Sequence, residues 1–72
     1  MTPRRRRTGE PAGARSAGIY HRRRYVIAEG RLERLLEHSP EDAAGAARLR
    51  ETMRDAYAGM ERALARIEAG EA

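Results

Sequence analysis

Glu37-His38-Ser39-Pro40-Glu41-Asp42 is the stretch on which the fold of this chain turns. A serine can cap the free amides of a helix start, proline suits the first helical position, and two acids favour the positive end of the helix dipole. The pattern predicts a helix that begins at Pro40 with Ser39 as its cap, and a reversal of the chain at residues 38–39.

Downstream of this point Ala46, Leu49, Met53, Ala56, Met60, Ala63 and Ile67 recur at alternating steps of three and four, and Tyr57 and Leu64 widen the stripe. The helix is expected to run over residues 40–69 and to stop at Gly70. Gly45 and Gly59 weaken it, although small residues there also permit a close approach of another helix. Upstream, residues 17–38 read as a helix with Tyr25, Ala28, Leu32, Leu35 and Leu36 on one face and His21 at its edge. Arg23, Arg24, Arg31 and Arg34 lie opposite, with Tyr20 and Ile27 among them. Two helices joined by so short a turn fold back on each other, so the expected fold is an all-α, antiparallel two-helix hairpin. Facing residue numbers then sum to about 79 in such a hairpin, which brings Leu32 near Ala46 and Leu49, Tyr25 near Met53 and Ala56, and Ile19 near Met60. Beyond Met60 the second helix is expected to lack cover within the chain while keeping Leu64 and Ile67.

The segment Ile19–Ile27 admits a second reading, as a strand with Ile19, His21, Arg23, Tyr25 and Ile27 on one side. A short and then a longer helix would follow it, an order of elements over residues 19–60 that resembles that of the ribbon-helix-helix repressors. The resemblance implies a two-stranded ribbon, formed between subunits, that enters the DNA major groove.

Residues 1–16, MTPRRRRTGEPAGARS, hold no apolar side chain larger than alanine after Met1. Such a segment cannot bury enough surface to offset its ordering entropy and is expected to be a disordered arm. The rest of the chain is also poor in large apolar groups, with nine Leu, Ile and Val in 72 residues and neither Phe nor Trp. A domain of this size buries only about 60% of its unfolded surface. Without cysteine no disulfide can help, so self-association or a partner is the remaining source of stability. Met53, Tyr57, Met60, Leu64 and Ile67 are the candidate protein interface, for a homodimer that makes a helical bundle or for a larger protein partner.

Charge is distributed unevenly. Residues 1–31 carry nine arginines against Glu10 and Glu29, a balance of +7, whereas residues 32–72 carry six arginines against nine acids, a balance of −3. A basic arm on a mildly acidic body points to a polyanionic partner. The candidate nucleic-acid contacts are Arg4, Arg5, Arg6, Arg7, Arg15, Arg22, Arg23, Arg24, Arg31 and Arg34, because arginines on a mobile arm and an adjoining helix face neutralise phosphates without a fixed geometry. The choice between DNA and RNA stays open, as does the rival reading of a protein-binding adaptor or inhibitor that docks its second helix on a larger protein.

No residue constellation suggests catalysis, a metal or a cofactor. His21 and His38 stand 17 residues apart, about 25 Å along one helix at 1.5 Å per residue, and face different ways. Glu29, Glu33 and Glu37 form an i, i+4, i+8 ladder without a Glu-x-x-His motif and read as a solvated edge opposite Arg48 and Arg50. No stretch is apolar enough for a membrane span or a secretion signal, and a cytoplasmic, non-enzymatic protein is expected.

Overall fold

In the computed structural model, which describes residues 9–71, the chain forms two α-helices packed side by side, α1 (Ala14–His38) and α2 (Ala43–Glu68). Residues 19–27, open to a strand reading in the sequence, lie within α1, so the ribbon of the repressor resemblance does not form. The hydrogen bonds of an amphipathic helix are satisfied within the segment, and Ala14, Ala17, His21 and Ala28 give it one buried face.

The connection differs from the expected one. Ser39 ends α1 instead of starting α2, its amide donating to the Leu35 carbonyl at 2.7 Å. Ser39 to Asp42 then form a tight turn closed by the Asp42 amide on the Ser39 carbonyl (3.0 Å), with Pro40 at the second position, where its fixed φ suits a β-turn. The N-cap of α2 is Asp42, whose Oδ1 accepts from the Gly45 amide at 2.9 Å. A Cβ at Gly45 would lie 2.5 Å from the Asp42 carboxylate and 3.1 Å from Leu35, so a side chain there would shift the capping group. At the far end Gly70, with φ +97°, closes α2: its amide reaches the Ile67 carbonyl and the Glu71 amide the Arg66 carbonyl.

Packing between the helices is built from small residues. Ala14, Ala17 and Ala28 of α1 and Ala46, Ala56 and Ala63 of α2 are the buried apolar residues, joined by Gly45 and Gly59, and among the described residues no large side chain is fully enclosed. Along α2 the buried positions are Gly45, Ala46, Ala56, Gly59 and Ala63, flanked by the half-buried Leu49, Thr52, Met53, Met60, Arg66 and Ile67. His21 is wedged between the helices. It is only 4% exposed, and a Cβ on Gly59 would lie 2.5 Å from its ring. Gly18 meets Ala63 in the same way, at an ordinary 3.5 Å.

Two expectations change as a result. Ile19 points away from α2 and is 57% exposed, so it does not meet Met60. The end of α2 is also covered, because α1 begins three residues earlier than the periodicity suggested and the segment before it continues along α2. Arg66 Nη2 donates to the Ala12 carbonyl at 2.8 Å, and Glu10 lies against His21. Residues 9–16 are thus placed on the body of the protein, and Arg4, Arg5, Arg6 and Arg7 of the arm lie outside the described residues.

Gly59→Ala forces three ring atoms of His21 aside. The overpacking cost, about 1–3 kcal/mol, exceeds the gain of about 1 kcal/mol in helix propensity, so the melting temperature falls. Gly30→Ala, with nothing within 4 Å of the new methyl group, raises it. In the turn, Asp42→Ala destabilises by about 1 kcal/mol and Ser39→Ala by less, since Ser39 contributes only its backbone there. Thermal unfolding followed by circular dichroism measures all four.

Candidate functional site

The two flanks of the hairpin have opposite chemistry. On one side Tyr25 of α1 adjoins Tyr57, one of the row Met53, Tyr57, Met60, Leu64 and Ile67 of α2, with the two rings 6.4 Å apart. Tyr57 and Leu64 are each 54% exposed. The five α2 residues, expected as a protein interface, therefore form a coherent stripe beside the seam, part of it open to solvent.

The opposite flank is polar and basic, and Arg24 is its centre. Three cavities of about 580, 310 and 310 Å³ share Arg24 as a wall. Around them stand Arg31 of α1 and Arg48, Arg54 and Arg62 of α2, with Glu10, Glu51 and Asp55 as the acids. The guanidinium of Arg24 is held in place. Its Nη2 donates to Asp55 Oδ2 at 3.3 Å, its Nη1 approaches His21 Nδ1 at 3.3 Å, and its Cζ lies 5.8 Å over the Tyr20 ring. A guanidinium can only donate, so Nδ1 of His21 accepts and the ring proton falls to Nε2. Nε2 is buried and lies 3.1 Å from Glu10 Oε2, at ion-pair distance but off the hydrogen-bonding direction. The Tyr20 ring stands edge-on to the imidazole, with centroids 5.1 Å apart.

The arginines expected to meet nucleic acid separate into groups. Arg15, Arg22 and Arg23 are exposed on the outer side of the first half of α1, a stretch without an acid, where Ile19, Val26 and Ile27 stand among them. Arg31 and Arg34 are exposed toward the basic flank. Arg24 is instead committed to Asp55 and His21. Arg48 and Arg62, outside the set expected from sequence, join this flank from the second helix. Their signal is the spacing Arg48, Asp55, Arg62, a heptad of polar residues adjacent to the seam. Glu29, Glu33 and Glu37 are exposed, and among the described residues none forms an ion pair with Arg48 or Arg50. His38 closes α1, its Nε2 4.0 Å from Glu37 Oε1. Among the described residues no three His, Asp or Glu side chains converge to hold a metal ion, and neither helix is long and apolar enough to cross a membrane.

No family model, no curated protein and no solved structure matches this chain.

Glu10→Ala removes the carboxylate that lies 3.1 Å from the buried Nε2 and with it the contact that seats the segment before α1 on His21. Glu10→Ala should therefore loosen the start of α1 first. Hydrogen exchange at the Ala17 amide, bonded to the Gly13 carbonyl at 2.8 Å, should quicken while the amide of Ala56 keeps its protection.

Proposed function

We propose that this is a non-enzymatic nucleic-acid-binding protein that uses its basic flank, the adjoining first helix and the Arg-rich N-terminal segment. The observation that carries the reading is the anchoring of Glu10 on His21 beside Arg24 and Arg62. Arg4 to Arg7 precede Glu10 by only three to six residues, so chain connectivity ties the densest run of positive charge to the flank where Arg31, Arg48, Arg54 and Arg62 gather. Arginine suits this task, because its planar fork binds phosphate oxygens in pairs and stays charged at all physiological pH. The flank is a groove without a deep pocket, which favours an extended polyanion over a small ligand. Tyr20 adds a ring at its edge. No cofactor or metal enters this reading, and the cytoplasm is the compartment where it places the protein.

A second reading, an adaptor or inhibitor that docks on a larger protein, is favoured by the exposed Tyr57 and Leu64 of the apolar flank. The two readings use different surfaces and separate experimentally. Under the first, retention of DNA and RNA oligonucleotides at several salt concentrations gives a linear fall of log affinity with log salt. Deleting residues 1–8 should reduce that slope by roughly 0.7–0.9 for each phosphate no longer neutralised, and Arg31→Ala with Arg48→Ala by about twice that figure. The helical signal of the double arginine variant should stay unchanged, since Arg31 and Arg48 are exposed. Failure to retain any oligonucleotide at low salt overturns the nucleic-acid reading.

A further inference from the structure

We infer that Glu10 occupies, in the free protein, a seat for a phosphate group, and that a phosphate takes this seat by displacing the Glu10 carboxylate. The inference rests on the nucleic-acid reading for the source of the phosphate and deepens it. It names the point on the basic flank where a phosphate is gripped and the residue of the chain that competes for it.

The seat is the cavity of about 310 Å³ lined by Glu10, Tyr20, His21, Arg24, Asp55 and Arg62. His21 brings to it a side chain only 5% exposed, whose Nε2 carries the ring proton because Nδ1 accepts from Arg24. That buried N–H has no hydrogen-bond partner among the described residues, since Glu10 Oε2 stands 3.1 Å away but off its direction. Buried donors in a folded protein are nearly always satisfied, so one left open at a cavity points to an acceptor that arrives from outside. Arg24 uses two of its donors on Asp55 and His21 and keeps the others. Arg62 is exposed and has no ion-pair partner among the described residues. With Glu10 seated, these two arginines face two acids. With Glu10 gone, Asp55 alone offsets them and the cavity wall is left at +1. One imidazole N–H and two guanidinium groups suit a tetrahedral anion, which offers oxygens on several sides, better than a planar carboxylate.

The chain allows the exchange. Glu10 is 37% exposed at its side chain and lies outside α1, between Gly9, whose φ is +75°, and Pro11. Two residues on, the Ala12 carbonyl is held by Arg66. Glu10 can therefore leave while this anchor stays, and the helices need not part.

Titration of the full chain with inorganic phosphate, followed by ¹H–¹⁵N NMR of the His21 ring and the backbone amides, tests this without nucleic acid. In the wild type, phosphate should shift the Nε2 resonance and the Gly9 and Glu10 amides along one saturable curve and leave the Ala56 amide in place. If Glu10 holds the seat in about nine molecules of ten, Glu10→Gln strengthens phosphate binding about tenfold, because apparent affinity scales with the fraction of open seats. Glu61→Gln removes the same charge next to Arg62 but outside the cavity, and with surface charges screened at about 0.15 M salt it should change binding less than about twofold. Arg62→Gln should weaken binding at least about tenfold through loss of a charge-assisted contact. Oligonucleotides with and without a 5′-phosphate then identify the source: a strand end if only the phosphorylated strand gains affinity in Glu10→Gln, a backbone phosphate if both gain alike. A His21 ring resonance that phosphate leaves unmoved in both wild type and Glu10→Gln, or a gain in Glu10→Gln that Glu61→Gln matches, or an Arg62→Gln variant that binds phosphate as the wild type does, overturns the proposal. A His21 response to inorganic phosphate in a protein that retains no oligonucleotide would sink the nucleic-acid reading and keep the seat, so the two fail separately.

Discussion

The imidazole of His21 lies in the space that a side chain at position 59 would fill, and the rest of the structure follows from that contact. Gly59 has no Cβ, so the ring can reach the α2 backbone, and the helices meet along alanines and glycines instead of leucines. Burying methyl groups contributes only about 0.8 kcal/mol each, which leaves geometry to be set by the polar wedge and its partners. Arg24 holds one nitrogen of the ring and Asp55 holds Arg24, while Glu10 faces the other nitrogen. This row of contacts crosses the seam and joins the segment before α1, α1 itself and α2.

Around the His21 contact the exposed Tyr57 and Leu64 come to one flank, and the polar heptad Arg48, Asp55, Arg62 comes to the other, where guanidinium groups gather around Arg24. Met53, Met60 and Ile67 lie half-buried beside the buried alanines. Moving the wedge would redistribute both surfaces.

Much of this is legible in the sequence. The two helices follow from their apolar period and from the break at residues 38–42, and Gly70 marks the end of α2 through a positive φ that other residues avoid. The cap lies three residues beyond Ser39 because Ser39 and Asp42 are both good N-cap residues, and the tight turn over Ser39 and Pro40 leaves the Asp42 carboxylate to accept from the Gly45 amide. The seam departs from the apolar period because hydrophobic spacing favours large residues, whereas close packing selects small ones. His21 reads as an edge residue for the same reason, since nothing local shows that a glycine 38 positions later leaves room for its ring. The start of α1 carries no local signal because Gly13 supplies no side-chain cap, and its position is set by Arg66 and by the Glu10–His21 contact, both made across the fold.

The seating of His21 on Gly59 is best tested by nuclear Overhauser spectroscopy on the folded chain. The structure requires strong cross-peaks between the imidazole ring protons and the Gly59 α-protons, with the latter displaced by the ring current. Ring protons at solvent-exposed shifts, showing contacts to Met60 or Ile67 and none to Gly59, would contradict the account and return the large apolar residues to the seam.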